Sequence, residues 1–196
     1  MTRRGTGIPS VMTTAREDED VLTLLIRQHE EIRALFERVE TTTGKDRTTA
    51  FRELVRLLSV HETAEEELVH PAARRSEGGD AVVDARVAEE RRAKELLVTL
   101  DRIGPDAEGF DTLLVQLRED VLAHAGHEER EEFPRLRSQY DDEQLKALGG
   151  ALRAAQLIAP TRPHPGVESP VANLLLGPPT AVVDKVRDLI RGALGR

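Results

Sequence analysis

Two strings of this chain combine the pattern H-x-x-x-E-E with a proline ten residues after the histidine. The strings begin at His61 and His124, and the prolines are Pro71 and Pro134. In a helix, residues four apart lie one turn apart and about 40° around the axis, so the histidine and the first glutamate share a face. An imidazole and a carboxylate so placed can ligate one metal ion or two adjacent ions, and they are typical ligands of iron, manganese or zinc. The repeat therefore predicts two ligand pairs, His61/Glu65 and His124/Glu128.

Both strings lie within apolar stripes that have the period of a helix. The first is in phase with Leu54 and Leu68, and the second with Leu117 and Val121. His29 lies on a third stripe of the same kind. A carboxylate on an apolar stripe is costly to bury unless its charge is compensated. The three stripes together favour a shared cation in the core.

Composition excludes several other classes of site. The chain has 196 residues, 39% hydrophobic, 33% charged and 3% aromatic, with a net charge of −8 and no cysteine. Without cysteine there can be no disulfide, iron–sulfur cluster, thiolate zinc site or cysteine nucleophile. The acidic balance and scarce aromatic residues disfavour nucleic-acid binding. No apolar run is long enough to cross a membrane, and we expect a cytoplasmic protein that is a monomer or a weak homo-oligomer.

The apolar spacing is helical almost throughout and predicts an all-α fold. Four long helices with short links predict an antiparallel up-down-up-down four-helix bundle over residues 17–140. The expected bundle helices are 17–42, 46–75, 81–103 and 106–134, with the second ending near Pro71 and the fourth bent or ended by Pro134. A flexible N-terminus, 1–16, precedes the bundle. A helical and proline-rich C-terminal extension, 141–196, follows it, with helices expected at 143–158 and 180–194.

These motifs resemble the hemerythrin-like, or HHE cation-binding, domain, a four-helix bundle with a non-haem di-iron site. The resemblance covers about residues 17–140. It implies two iron ions bridged by oxo, hydroxo or carboxylate groups. The implied ligands are His29, His61, Glu65, His124 and Glu128, and Glu62 corresponds to a residue that also coordinates metal in some members.

The third helix departs from the family pattern, which has a histidine where this chain reads AEERRAKELL. The aligned residue is Glu90, which is in phase with Ala93 and Leu97, and we count it as a candidate ligand. Its neighbour Glu89 is almost as well phased. A third alternative is that this helix supplies no ligand, both glutamates are solvated, and a water fills the position or only one metal is held tightly.

Other polar residues near the repeats receive no ligand role from the sequence. His127 is expected to contact a ligand or to lie at the surface. His70 is expected at a helix end, where the helix dipole favours it. Glu66 and Glu129 are expected to be solvated, with orientation of a ligand imidazole as the alternative.

The resemblance implies a protein that reacts with or senses O2, peroxide or nitric oxide, or that sequesters iron. Three histidines and several anionic oxygen donors favour ferric iron and disfavour reversible oxygen carriage. Whether the protein is an enzyme stays open. A ferritin-like protein would have two E-x-x-H motifs, and only Glu67/His70 fits. The alternative from another class is a helical interaction or structural protein that holds zinc or no metal.

Overall fold

The computed structural model describes residues 19–157, and every regular element within this range is helical. The elements are α1 (Val21–Thr41), α2 (Gly44–Ala64), a first π turn (Glu65–Val69), α3 (His70–Ala73), α4 (Gly79–Ile103), α5 (Phe110–His127), a second π turn (Glu128–Glu132), α6 (Phe133–Gln139) and α7 (Asp142–Gln156). The all-α prediction is confirmed. The predicted flexible N-terminus (1–16) and the predicted helix at 180–194 lie outside the described residues.

Side-chain pairs show how the long helices run relative to each other. Along α1 and α2, Gln28 contacts His61 while Arg38 contacts Glu53. As the residue number on α1 rises, the number of its contact residue on α2 falls. These two helices are therefore antiparallel. None of the helices in the described range is long and apolar enough to cross a bilayer.

The apolar core is divided into two clusters by a layer of buried polar side chains. On α1, Leu25 belongs to one cluster and Ile32 to the other, and the buried residues Gln28 and His29 lie between them. On α4, the buried residue Glu90 separates the two clusters in the same way. The layer is therefore enclosed by aliphatic packing on both sides.

Neither proline of the repeat ends its helix at its own position, and the helical path through Pro71 ends at Ala73, within the expected range 71–75. Proline lacks an N–H, and its ring clashes with the carbonyl four residues earlier in an α-helix. Here a π turn, with hydrogen bonds to the fifth residue back, ends two residues before each proline. The His70 N–H donates to the Glu65 carbonyl and the Phe133 N–H to the Glu128 carbonyl. The wider turn lets the helical path continue into α3 and α6.

Helix α7, which is the helix expected at 143–158, packs against the beginning of α1 through Gly149. A Cβ added at Gly149 would overlap the carbonyl oxygen of Glu19 and lie 3.0 Å from the backbone nitrogen of Val21. We expect Gly149→Ala to lower the free energy of unfolding by about 1–3 kcal/mol, because backbone atoms must move apart. Chemical denaturation measures this change.

The neighbouring glycine gives a matched control. A Cβ at Gly150 would meet nothing closer than Arg153 Nη2, at 3.9 Å. Since alanine is the better helix former, Gly150→Ala should raise the free energy of unfolding by up to about 1 kcal/mol. Equal stability in the two variants would contradict the close packing of α7 on α1.

Candidate metal centre

The polar layer contains two overlapping groups of buried histidine and glutamate side chains. In each group, one potential ligand atom from every residue lies within 4.8 Å of the others. The first group is His29, His61, Glu65 and Glu128, and the second is Glu65, Glu90, His124 and Glu128. Glu65 and Glu128 belong to both groups. The structure thus brings together every sequence-predicted site residue except Glu62.

The histidine Nε2 atoms of both groups face carboxylate oxygens at distances longer than most hydrogen bonds. The distances are 3.3 Å for His29 to Glu128, 3.3 Å for His61 to Glu65, 3.5 Å for His124 to Glu128 and 3.7 Å for His124 to Glu90. At these distances the imidazole and carboxylate groups point towards a common space but do not satisfy one another's hydrogen-bonding capacity.

The atoms that converge on this space lack hydrogen-bond partners although they are buried. They are Nε2 of His29 and His124, both carboxylate oxygens of Glu65 and Glu128, and Oε2 of Glu90. Buried polar atoms are almost always hydrogen-bonded, so a cluster of exceptions requires an explanation. Neutral imidazole nitrogens and carboxylate oxygens are metal ligands, and bound cations would satisfy all of these atoms together. The residues fit a metal centre.

The opposite nitrogen of each candidate ligand histidine has an acceptor. Nδ1 of His29 donates to Glu129 at 2.8 Å, Nδ1 of His61 to Gln28 at 2.9 Å, and Nδ1 of His124 to Glu89 at 3.2 Å. A proton on Nδ1 leaves the lone pair on Nε2, and metal-bound histidines are held in this way. Glu129 therefore fulfils the alternative role considered for it, orienting an imidazole, although its side chain is 39% exposed.

The structure separates the two glutamates proposed on the third long helix. The Glu90 side chain is 2% exposed and belongs to the second group. Glu89 instead accepts from His124 and lies 3.0 Å from Nδ1 of His127. His127 thus contacts a residue that holds a candidate ligand, and its own side chain is 35% exposed. Glu90 takes the place of the missing histidine within the layer.

Glu62 is buried but lies outside both groups of four. Its Oε2 atom has no hydrogen-bond partner and lies 4.0 Å from Nζ of Lys94. Burial raises the pKa of Glu62 to about 8, and the positive charge of Lys94 only partly opposes this. A carboxyl group in this setting binds a proton near neutral pH.

A small cavity of about 20 Å³ adjoins both groups. Its polar wall consists of His29, His61, Glu62, Glu90 and His124. Ile32, Leu58, Ala93 and Val121 contribute to its apolar wall. A volume of this size accommodates about one water-sized molecule. Only a molecule of about that size fits in this cavity beside the candidate metal positions.

Protonation equilibria in the layer are strongly shifted when the carboxylates have only one another and the histidines as neighbours. Burial and the negative charge of Glu128 raise the pKa of Glu65 well above 4.5. Burial and the positive charge of His29 lower the pKa of His61 to about 3. Burial lowers the pKa of His124, but Glu128 and Glu89 more than compensate and raise it to about 9. Metal ions would replace these protons.

The π turns place equivalent residues of the repeat at the centre of the site. Glu65 is the first residue of the first π turn, and Glu128 is the first residue of the second. Both are fully buried, and they are the two carboxylates common to both groups. π turns inside α-helices often occur at functional sites. The matched proline offsets in the sequence thus correspond to a matched local geometry.

The sequence interpretation missed the buried contacts of the His70 side chain. Its side chain is 4% exposed, with Nε2 2.6 Å from Glu90 and Nδ1 3.0 Å from Glu132. His70 does lie in the last turn of its helix, as expected, but the helix dipole does not account for a side chain buried between two carboxylates. Glu132 follows Glu128 by four residues, and this spacing was the available indication that it faces the layer.

Comparisons with known proteins agree with this site. The Hemerythrin HHE cation-binding domain family matches residues 20–136. A crystal structure of a hemerythrin HHE cation-binding domain-containing protein from Mycobacterium kansasii aligns with a TM-score of 0.64 and 21% sequence identity, covering 90% of this chain and 97% of that one. A DNA nickase from Nostoc sp. is 25% identical over 142 residues. That match covers 72% of this chain but only 40% of the nickase.

Proposed function

Because the chain belongs to the Hemerythrin HHE cation-binding domain family, we propose that its buried layer holds two iron ions and reacts with dioxygen, peroxide or nitric oxide, or sequesters iron. The observation that carries this proposal is the set of buried imidazole and carboxylate atoms without hydrogen-bond partners. They form two groups of four that share Glu65 and Glu128. Two shared carboxylates are suited to bridging two adjacent cations.

The two proposed metal positions differ in their ligands. The first has two histidines and the two shared glutamates, while the second has His124 with three glutamates, one of which is Glu90. Bound iron would supply one-electron redox chemistry towards small oxygen and nitrogen species. Anionic oxygen donors stabilise the harder ferric ion, so the three carboxylates favour the oxidised state. We therefore propose oxidation or storage of iron over reversible oxygen carriage.

The residues around the cavity would serve this function by providing space for one small molecule beside the candidate ligands. Ile32, Leu58 and Val121 form an apolar wall opposite the histidines. The outer hydrogen bonds from Glu129, Gln28 and Glu89 keep the three imidazoles oriented with Nε2 towards the site. Glu62, which binds a proton near neutral pH, is placed to donate a hydrogen bond to a molecule in the cavity.

Metal analysis of freshly purified protein, followed by an oxygen experiment, tests the proposal. Iron near two per chain supports it, whereas zinc or no metal supports the alternative of a helical interaction or structural protein. The protein loaded anaerobically with Fe(II) is then exposed to air, and its visible absorption is followed. We expect conversion to a ferric spectrum that persists when oxygen is removed. A spectrum that disappears on removal of oxygen would instead establish reversible carriage.

Replacing Glu90 should change this behaviour in a predictable direction. In Glu90→His an imidazole takes the place of an anionic oxygen donor, which weakens the preference for ferric iron. We expect slower oxidation in air and a larger fraction of the oxygen-dependent spectrum that reverses under vacuum. Glu95→His, on the exposed face of the same helix, is the matched control and should behave as wild type. Identical oxidation rates in the two variants would argue against ligation by Glu90.

A further inference from the structure

His70 is a buried histidine that belongs to neither group of candidate ligands. It lies on α3 between two carboxylates from other parts of the chain, Glu90 on α4 and Glu132 in the second π turn. The distances are 2.6 Å from Nε2 to Glu90 Oε1 and 3.0 Å from Nδ1 to Glu132 Oε1. All three residues are at most 3% exposed. Both ring nitrogens are thus used by protein groups.

The two carboxylate oxygens of Glu90 differ in their surroundings because His70 contacts only one of them. Oε1 accepts the hydrogen bond from His70, while Oε2 is buried and has no partner. A glutamate side chain has three torsions and loses much of its rotamer freedom when it ligates a metal. A hydrogen bond to one oxygen removes part of that freedom in advance and leaves the other oxygen available.

Glu132 fixes His70 from the opposite side. It follows Glu128 by one turn and is fully buried. The two hydrogen bonds from His70 therefore connect α3, α4 and the second π turn next to the second group of ligands. Glu90 is the member of that group which this chain has in place of the family's histidine, and it is also the member that His70 contacts.

We propose that His70 is a positioning residue for the second metal ion, which holds Glu90 with Oε2 free to ligate while Glu132 holds His70. The inference rests on the proposed function, since it requires two metal positions. It predicts that His70 affects metal binding at one of the two positions only. The position formed by Glu65, Glu90, His124 and Glu128 depends on it, whereas the position that contains His29 and His61 does not.

Anaerobic titration of metal-free, full-length protein with Fe(II) against a competing chelator tests this selectivity. We expect wild type to bind two ions and His70→Gln to bind the first unchanged and the second about 10–100-fold more weakly, the usual effect of losing an outer hydrogen bond to a ligand. His127→Gln is the matched control. The Nδ1 atom of His127 lies 3.0 Å from Glu89, and the His127 side chain is 35% exposed, so the second affinity should change much less.

Glu132→Gln provides an independent variant if His70→Gln does not fold. It removes the charge that holds His70 but keeps the contact between His70 and Glu90, and a smaller, still selective loss at the second position is expected. Equal weakening of both positions would indicate a merely structural role and overturn the inference. So would two ions bound by the variants with wild-type affinities. Wild-type protein that binds fewer than two ions overturns the two-metal function itself and, with it, the role of His70.

Discussion

Glu65→Gln and Glu128→Gln should each deprive the protein of both metal ions, whereas His29→Gln should weaken only one. The reason is that Glu65 and Glu128 belong to both groups of ligands, while His29 belongs to one. Glutamine preserves the volume of the side chain but is a poor ligand for iron, so the loss does not require a cavity in the core. Metal content after gel filtration measures the outcome.

The same variants should also lose the stabilisation that metal provides. Ligands that bind only the folded state raise stability by mass action, which for metal at 100-fold above its dissociation constant is about 2.7 kcal/mol. We expect the melting temperature of Glu128→Gln to be the same with iron as with chelator. Glu131→Ala, on the same π turn but with its side chain 49% exposed, should keep both ions and the full shift. A Glu65→Gln or Glu128→Gln protein that retains either ion at wild-type affinity would exclude a shared ligand.

Raising the pH from 6.5 to 8.5 should lower the free energy of unfolding of the metal-free protein. The difference in this free energy between metal-free and iron-loaded protein should therefore increase. The pKa of Glu62 is raised from 4.5 to about 8 on folding, so the stability contributed by its proton is lost as the pH rises through 8. The pKa of His124 is raised from 6.5 to about 9, and its contribution is lost in the same direction. The pKa of His61, lowered to about 3, affects stability only below pH 6.5.

Metal binding depends on pH with the opposite sign, because the ligands must be deprotonated. Over these two pH units the metal-free protein should lose on the order of 4 kcal/mol of unfolding free energy, about half from each group, while the iron-loaded protein should lose little. Anaerobic thermal unfolding at three pH values, with Fe(II) and with chelator, gives both curves. In Glu62→Gln the slope of the metal-free curve should decrease, because glutamine cannot ionise. A metal-free protein whose stability rises over this range would contradict the assignment.

Periodicity predicted the helices of the described range well, and the repeated string predicted the residues that meet in the layer. The apolar stripes fixed the rotational phase of α1, α2, α4 and α5. This phase placed His29, His61 and His124 towards the core, where they are found. It also favoured Glu90 over Glu89, whose directions differ by about 100° around the axis. Ligation by Glu90 stays a prediction that the iron titrations test.

The contacts that could not be predicted from the sequence depend on neighbouring helices or on the π turns. Gln28, Glu89 and Glu129 orient imidazoles on other helices, and their partners follow only from three-dimensional packing. A π turn adds about one residue to a helical turn, which rotates everything beyond it by about 100° relative to an α-helix. His70 lies directly after such a turn, so extrapolating the α-helical phase from His61 misplaces it.

Gln28 connects helix α7 with the candidate metal centre. Its side-chain oxygen accepts from Nδ1 of His61 and also, at 3.0 Å, from Nε2 of Gln156 in the last turn of α7. Any coupling that depends on this shared oxygen has the same free energy in both directions. A metal ion bound at the position that contains His61 would change the docking of α7 by the same factor by which docked α7 would change metal binding. The final helix of the described chain therefore contacts the candidate site through Gln28 without contributing a candidate ligand to it.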